Sequence, residues 1–216
     1  MPTATRVEVV EKALSILDAF SEERAAMSLT QIAQETGISK SSLPRLLNSL
    51  RLYGFLTRDD AKVYRLGPNL WRLGALYRRK FDLGELIRPI LRHLVEVTGE
   101  TASFYVRDRE ERVCLYRENS GHPIRHHLDE GSRLSIDRGA ASHALRAAEG
   151  PADRVFTSIG ERNAEVAAVA IRIFGQSGGL RGALCVSGLR HRFDERLRSA
   201  AALALQEAQM RLAQYR

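Results

Sequence analysis

The chain has 216 residues, 44% of them hydrophobic, and a net charge of +7, the composition of a folded protein with one large domain or a small and a medium one. No run of about 18 apolar residues is present, which excludes a hydrophobic membrane-spanning helix. The opening MPTATRVEVVEKAL lacks the charged-then-apolar pattern of a secretory signal, and the two cysteines, Cys114 and Cys185, have no metal-type spacing. These features predict a cytoplasmic chain with reduced thiols.

The charge is uneven. Residues 1–80 hold 13 Lys/Arg against 8 Asp/Glu, or +5, so the smaller part of the chain is the more basic, as a phosphate-facing domain should be. Its first predicted helix takes its apolar face from Val10, Ala13, Leu14, Leu17 and Phe20. In SLTQIAQETG, Ser28 followed three residues later by Gln31 matches a capping box, so a second helix starts there, with Leu29, Ile32 and Ala33 inward and Gly37 suited to the turn after it.

The next stretch, ISKSSLPRLLNSLRLYG, places Leu43, Leu46, Leu47 and Leu50 at i, i+3, i+4 and i+7, with Ser41, Arg45 and Asn48 on the other face. Pro44 limits where this helix begins. A cap at Ser39 would set the ring against the Lys40 carbonyl at roughly 3 kcal/mol. A start near Ser41 or Ser42 puts the missing donor in the first turn, where it has no partner to lose. Lys40 and Ser41 then become turn residues near phosphates, and Ser42 and Arg45 lead.

YGFLTRDDAKVYRLG reads as two short strands, Phe55–Arg58 and Val63–Leu66, around a polar Asp59–Lys62 turn. Two helices joined by a glycine turn and followed by a hairpin have the shape of a winged helix-turn-helix. Ser41, Ser42, Arg45 and Asn48 are the candidates for base edges, and Arg58, Lys62 and Arg65 for phosphates along the wing. Ser28, Thr30 and Lys40 complete the DNA-facing set. The competing reading is three amphipathic helices and a hairpin that merely pack together.

This module, LTQIAQETGISKSS…RLLNSL…YGFLTRDDAKVYRLGPNLWRLG, is similar to the winged-helix domain of the IclR-type transcriptional regulators over about fifty residues, including the RLGP that opens a helix from Asn69 to about Lys80. The resemblance implies a bacterial regulator that binds pseudo-palindromic double-stranded operators as a dimer or a pair of dimers, with that helix linking to an effector-binding domain.

In the remainder, LGELIRPILRHLVEVTG predicts an amphipathic helix, and TASFYVRD and RVCLYREN a hairpin across Asp108–Glu111. An alanine-rich helix follows from about Arg138 to Ala148, with Asp137 as N-cap. Two strands, VAAVAIRIFG and LRGALCVSG, are joined by QSGG, and a last helix from about Asp194 buries Leu197, Ala201, Ala204, Ala208 and Leu212. If the last two strands pair in register, Val169, Ile171, Ile173, Leu184 and Val186 form a large aliphatic face. Ala168, Ala170, Arg172, Ala183, Cys185 and Ser187 form a small, weakly polar one. Either a helix packs closely over that face or it lines a small-molecule cavity.

PILRHLVEVTGETASFYV, DRGAA, IGER and AAVAIRIF…GALCVSG resemble the corresponding stretches of the IclR-type effector domain, which implies a GAF-like fold and a small organic-acid or aromatic effector. By position, Gly139 and Ala140 would offer backbone N–H groups to a carboxylate. Ser158, Ala168, Cys185 and Ser187 would line the rest, with Cys185 where a serine is frequent and Ala168 where a cysteine or other small residue sits. Two departures stand out: Glu149 to Glu165 is shorter than usual, and Arg172 replaces a frequent proline. Arg172 either reaches the pocket rim and pairs with an anionic effector or Glu161, or reaches solvent at an edge.

The fold class is therefore α+β: an N-terminal winged helix-turn-helix over residues 1–67, a linker helix over 68–82 and a GAF-like effector-binding domain with an antiparallel sheet over 83–216, shortened between 149 and 165. His122, His126, His127 and His143 lack the companions of a metal site, adjacent strand residues point oppositely, and neither a nucleophile elbow nor a phosphate loop occurs. No cofactor, metal or catalytic residue is expected. The alternatives are a GAF-like thiol sensor using Cys114 or Cys185 coupled to DNA binding, or a non-regulatory ligand-binding or enzymatic domain.

Overall fold

The computed structural model describes residues 7–21, 23–81, 83–147, 149–175 and 178–214, and the chain separates into two units, Met1–Phe81 and Asp82–Arg216. Of the expected segments, residues 1–6, Asp82 at the end of the linker helix, Ala148 and the Gln176–Ser177 part of the last turn lie outside the described residues.

In the first unit α1 (Glu8–Asp18), α2 (Leu29–Thr36) and α3 (Leu43–Leu52) precede a hairpin of β1 (Leu56–Arg58) and β2 (Tyr64–Leu66), and α4 (Pro68–Phe81) follows. The core is Ile16, Met27, Ile32, Ile38, Leu43, Leu47, Leu50, Leu56 and Tyr64. Reciprocal backbone bonds between Met27 and Tyr64, of 3.0 and 2.8 Å, tie the approach to α2 to the second wing strand. The capping box forms: the Ser28 hydroxyl accepts from the Gln31 amide and the Gln31 side chain accepts from the Ser28 amide. Gly37 closes α2 in the left-handed conformation, φ 68°, which a side chain would resist.

The first helix differs from its reading. Ile16 is its buried residue, with Ala13, Leu17 and Phe20 partly covered, whereas Val10 and Leu14 are 52% and 55% exposed. Only part of the stripe therefore reaches the core that α1 shares with α2 and α3.

In the second unit α5 (Leu83–Thr98) leads into β3 (Thr101–Asp108), β4 (Glu111–Glu118), β5 (Arg133–Ser135), α6 (Ala140–Arg146), β6 (Val155–Ile159), β7 (Val166–Phe174), β8 (Leu180–Leu189) and α7 (Glu195–Gln214). The strands form one antiparallel sheet in the order β5-β4-β3-β8-β7-β6. β7 and β8 pair with Val169 opposite Val186, Ala170 opposite Cys185 and Ile171 opposite Leu184, so the residues separate by size. The large face buries against α5 and α7 in a core that includes Ile87, Leu91, Phe104, Phe193 and Leu205. The small face buries Ala168, Ala170, Ala183 and Cys185 under Ala140, Ala141, Ala144 and Leu145 of α6. Small strand residues and small helix residues face each other, so much of that face is covered by a closely packed helix.

The short strands β5 and β6 were not among the expected elements; each lies at a sheet edge, where three to five residues of pairing leave little period to detect. The alanine-rich helix begins at Ala140, not Arg138. Gly139, at φ 100°, takes the N-cap position, and Asp137 instead accepts from the Ser135 hydroxyl at 2.9 Å. No helix among the described residues is long and apolar enough to cross a membrane.

Two substitutions test this packing. Ser28→Ala removes the cap of α2 and should cost about 1 kcal/mol in denaturant unfolding of the first unit. At Gly182 a Cβ would lie 2.4 Å from the Phe104 ring and 2.5 Å from the Tyr105 carbonyl. Gly182→Ala should therefore destabilise the second unit by about 1–3 kcal/mol. Unchanged midpoints would contradict both assignments.

Candidate functional site

The first candidate face lies on the helix-turn-helix. The chain turns before Pro44, since the Ser39 carbonyl accepts from the amides of Ser42 and Leu43 at 3.0 and 3.1 Å. The helix proper then starts at Leu43 with Ser42 as N-cap, and Pro44 falls in its first turn. The proline removes a donor that the helix does not use there. Lys40, Ser41, Ser42, Arg45 and Asn48 are all exposed, while Leu43, Leu47 and Leu50 are buried behind them. The Ser39 hydroxyl bonds to those of Ser41 and Ser42 at 3.1 and 3.0 Å, fixing a small polar cluster at the start of α3. Beside it, an open groove of about 490 Å³ is lined by Glu8, Val9, Lys12, Ser41, Ser42, Arg45 and Leu46.

The other DNA-facing candidates divide. Thr30 is exposed, but the Ser28 hydroxyl is occupied by the capping box. On the wing, Arg58 lies 5.2 Å over the Tyr64 ring and Arg65 sits 3.8 Å from Asp59 in a solvent-screened pair. Lys62 occupies the tip in the left-handed region, φ 63°, where the Asp59 carboxylate accepts from the Val63 amide at 2.9 Å and closes the turn. Arg51, exposed in the last turn of α3, adds a charge that the leucine periodicity did not single out. Lys40, Arg45, Arg51 and Lys62 have no acid within ion-pair distance among the described residues; Glu8, Glu35 and Asp59 pair with Lys12, Arg24 and Arg65.

The second candidate site lies on the small-residue face of the six-stranded sheet. Ser158, Ala168, Cys185 and Ser187 share it, Ala168 directly opposite both Ser158 and Ser187 in the ladder. Ala168 is buried, with 8% of its surface left, while Ser187 is half-buried, so the cover over this face thins toward Ser187. Gly139 and Ala140 stand at its border, but the protein already uses their amides. The Glu161 carboxylate accepts from Gly139 N–H at 2.9 Å and the Ser158 hydroxyl from Ala140 N–H at 3.0 Å. His143 Nε2 lies 2.7 Å from the same Glu161 oxygen. Burial alone would raise the Glu161 pKa; the Gly139 amide and His143 outweigh it and hold the carboxyl below its usual range. A ligand carboxylate reaches the Gly139 amide only by displacing Glu161.

Arg172 corrects both sequence alternatives. It is 2% exposed, so it does not reach solvent, and its guanidinium is spent on the carbonyls of Ala147, Gly150 and Pro151. It also lies 5.9 Å from the Phe156 ring and 5.2 Å from that of Phe174. Its job is to pin the segment after α6 to the sheet, and Glu161 is engaged elsewhere. The shortened connection is thus held by a side chain of the strand beneath it.

Residues that the sequence reading passed over surround the same face. Arg112 and Arg117 on β4 are buried, and Tyr105 on β3 lies 5.0 Å beneath the Arg112 guanidinium. Strict alternation puts residues five apart on opposite faces. Between Phe104 and Tyr105 the register with β4 shifts, Phe104 pairing Tyr116 and Tyr105 pairing Cys114, so Leu115 is an extra residue. This bulge turns Arg117 onto the face of Arg112 and Cys114, and no local sequence signal announces it. The thiols of Cys114 and Cys185 are buried and pushed up to about 11 by that burial, which leaves no exposed thiolate for a redox sensor. His127 pairs with Asp129 and His122 with Glu100, while His126 contacts Arg162.

Comparison with known proteins bears on the family and the fold of the chain. The model of the IclR helix-turn-helix domain matches residues 9–60. The HTH-type transcriptional regulator BhcR of Paracoccus denitrificans is 30% identical over 148 residues, 68% of this chain and 53% of that protein. The chain thus spans about half the length of the curated relatives it matches. A structure from Silicibacter sp. TM1040, assigned to the IclR transcriptional regulators, is 26% identical, covers 96% of this chain and 95% of its own, and superposes with a TM-score of 0.79. An IclR homolog from Microbacterium hydrocarbonoxydans complexed with 4-hydroxybenzoate shares the fold, with a TM-score of 0.77 at 17% identity, covering 94% of this chain and 99% of its own. With an N-terminal helix-turn-helix, an antiparallel C-terminal sheet domain and these matches, the chain belongs to the IclR family of transcriptional regulators.

Proposed function

We propose that this protein is a cytoplasmic, non-enzymatic regulator that binds double-stranded operator DNA through its first unit and responds to a small organic effector bound by its second. The observation that carries the DNA half is the exposed start of α3, where Lys40 and Arg45 present positive charge beside small hydroxyl groups with no acid within ion-pair distance among the described residues, and Arg51 adds to it from the last turn. In that reading Ser42, Arg45 and Asn48 meet base edges, while Lys40, Arg58, Lys62 and Arg65 meet phosphates. The effector half is supported by the half-buried Ser187 end of the small-residue face and by the relative complexed with 4-hydroxybenzoate. An effector would act by binding one of two states of the protein more tightly, the helix Pro68–Phe81 carrying the change between units.

Self-association as a dimer or pair of dimers belongs to the same proposal. Val7, Val10 and Leu14, spaced i, i+3 and i+7 along the first helix, are more than half exposed, an apolar stripe that a second copy would cover.

Fluorescence anisotropy with labelled duplex DNA tests the first half. The full chain should bind with log affinity falling linearly in log salt, Lys62→Ala should lower the slope by about one, and Arg45→Ala should cost about 1–3 kcal/mol on the preferred sequence. No binding to any duplex at low salt would remove the DNA reading. In sedimentation, Leu14→Glu should shift the protein toward monomer; an unchanged mass would exclude this stripe from the interface.

A further inference from the structure

Three arginines in the second unit stand together without an acid to answer them. Arg112 and Arg117 are 5% and 7% exposed on the small-residue face. Arg162, on the loop after β6, reaches the His126 ring, and the Arg117 guanidinium donates to the carbonyl of that same histidine at 2.7 Å. The Cys185 thiol on the floor lies in the field of all three. Desolvation and the nearness of Arg112 and Arg117 lower the Arg162 pKa.

Several acids of this unit pair with other cations, including Glu130, which also accepts from the Arg117 backbone amide at 2.9 Å. Glu100 pairs with Arg192, Glu130 with Arg88, Asp108 and Glu111 with Arg133, and Glu161 with His143. Among the described residues none lies within ion-pair distance of Arg112, Arg117 or Arg162. Their partners are neutral. Arg112 donates to the Ser142 hydroxyl at 2.7 Å and the Arg138 carbonyl at 3.3 Å, and its buried Nε has no acceptor. Arg117 donates to Ser103 Oγ and Asn119 Oδ1 at 3.1 and 3.0 Å.

Buried cations met only by neutral acceptors are costly to keep, and a ligand carrying the missing charge removes the deficit. We propose that the half-buried Ser187 end of this face, beside Ala168 and Cys185, binds a small dianion, a dicarboxylate or a phosphate monoester, whose charge is held by Arg112, Arg117 and Arg162. This rests on the effector-site reading and narrows its chemistry: a monocarboxylate brings one negative charge to three guanidinium groups, a dianion two. The α6 amides, already bonded to Glu161 and Ser158, play no part in it.

Calorimetry on the full chain at constant ionic strength, with propionate, succinate, glutarate and glycerol 3-phosphate, separates the possibilities. At least one dianion should bind about tenfold or more tightly than propionate. Succinate or glutarate against glycerol 3-phosphate tells a dicarboxylate from a phosphate ester. Arg162→Gln, a change on an exposed loop, should weaken the dianion about tenfold and leave propionate little affected. Arg112→Gln should do more, and Arg162→Gln keeps the test valid if that buried variant does not fold.

His126 gives an independent readout. Burial and the charges of Arg162 and Arg117, with His127 beside them, depress its pKa to about 4. A dianion that neutralises those arginines should raise it in an NMR titration, a shift that a remote ligand would not produce. Equal affinity for propionate, or no dianion binding, overturns the proposal. If propionate or 4-hydroxybenzoate binds in that case, the effector reading stands alone; if no acid binds, both readings fall.

Discussion

The second unit depends on one constraint, the separation of side-chain size across the β7–β8 pair. With Val169 opposite Val186 and Ile171 opposite Leu184, all the bulk of the two strands lies on one face, and α5 and α7 are the long helices that bury it. The alanines and Cys185 on the other face can be approached closely, so the seven-residue α6 is enough to cover most of it. Near the start of α6, beside buried Ala168, Ser187 is only half-buried. The helical cover and the candidate site are consequences of the same small side chains, not competing explanations of them.

Charge is then fitted into what that packing leaves. Arg172 and the pair Arg112 and Arg117 sit on the same face, yet they solve burial differently. Arg172 is satisfied by three backbone carbonyls of the segment it restrains, which makes it structural. Arg112 and Arg117 use side-chain hydroxyl and amide groups together with single carbonyls; among the described residues no carboxylate lies within ion-pair distance of either guanidinium, and Glu130 meets only the Arg117 backbone amide. The Glu161 carboxylate goes to the start of α6 with His143, where it answers a backbone amide that would otherwise lack a partner.

In the first unit the equivalent constraint is Pro44. It forbids a continuous helix from Ser39, so the polypeptide makes a separate turn through Lys40–Ser42 before α3 begins. That turn brings three serine hydroxyls together next to Lys40 and Arg45 at the exposed helix start. The proline therefore shapes the surface rather than weakening it. The leucines at 43, 47 and 50 keep the helix seated whichever residue caps it.

Local chemistry was legible wherever a short-range rule acts alone. The Ser28–Gln31 box, the left-handed Gly37, the wing hairpin and the two-faced β7 and β8 follow from side chains within a few residues of one another, and so does the late start of α3. What needed the fold were features set by distant partners. Whether Val10 and Leu14 were buried depended on which side of α1 the core covers. The fate of Arg172 depended on the carbonyls of Ala147, Gly150 and Pro151, more than twenty positions away. Above all, the Leu115 bulge, formed only because β4 pairs with β3 in a shifted register, carries Arg117 to the side of Arg112. The sequence by itself determined the modules and the inward faces, because periodicity is local; only the tertiary structure decided which charges meet, because strand register and long side chains are settled by contacts far along the chain.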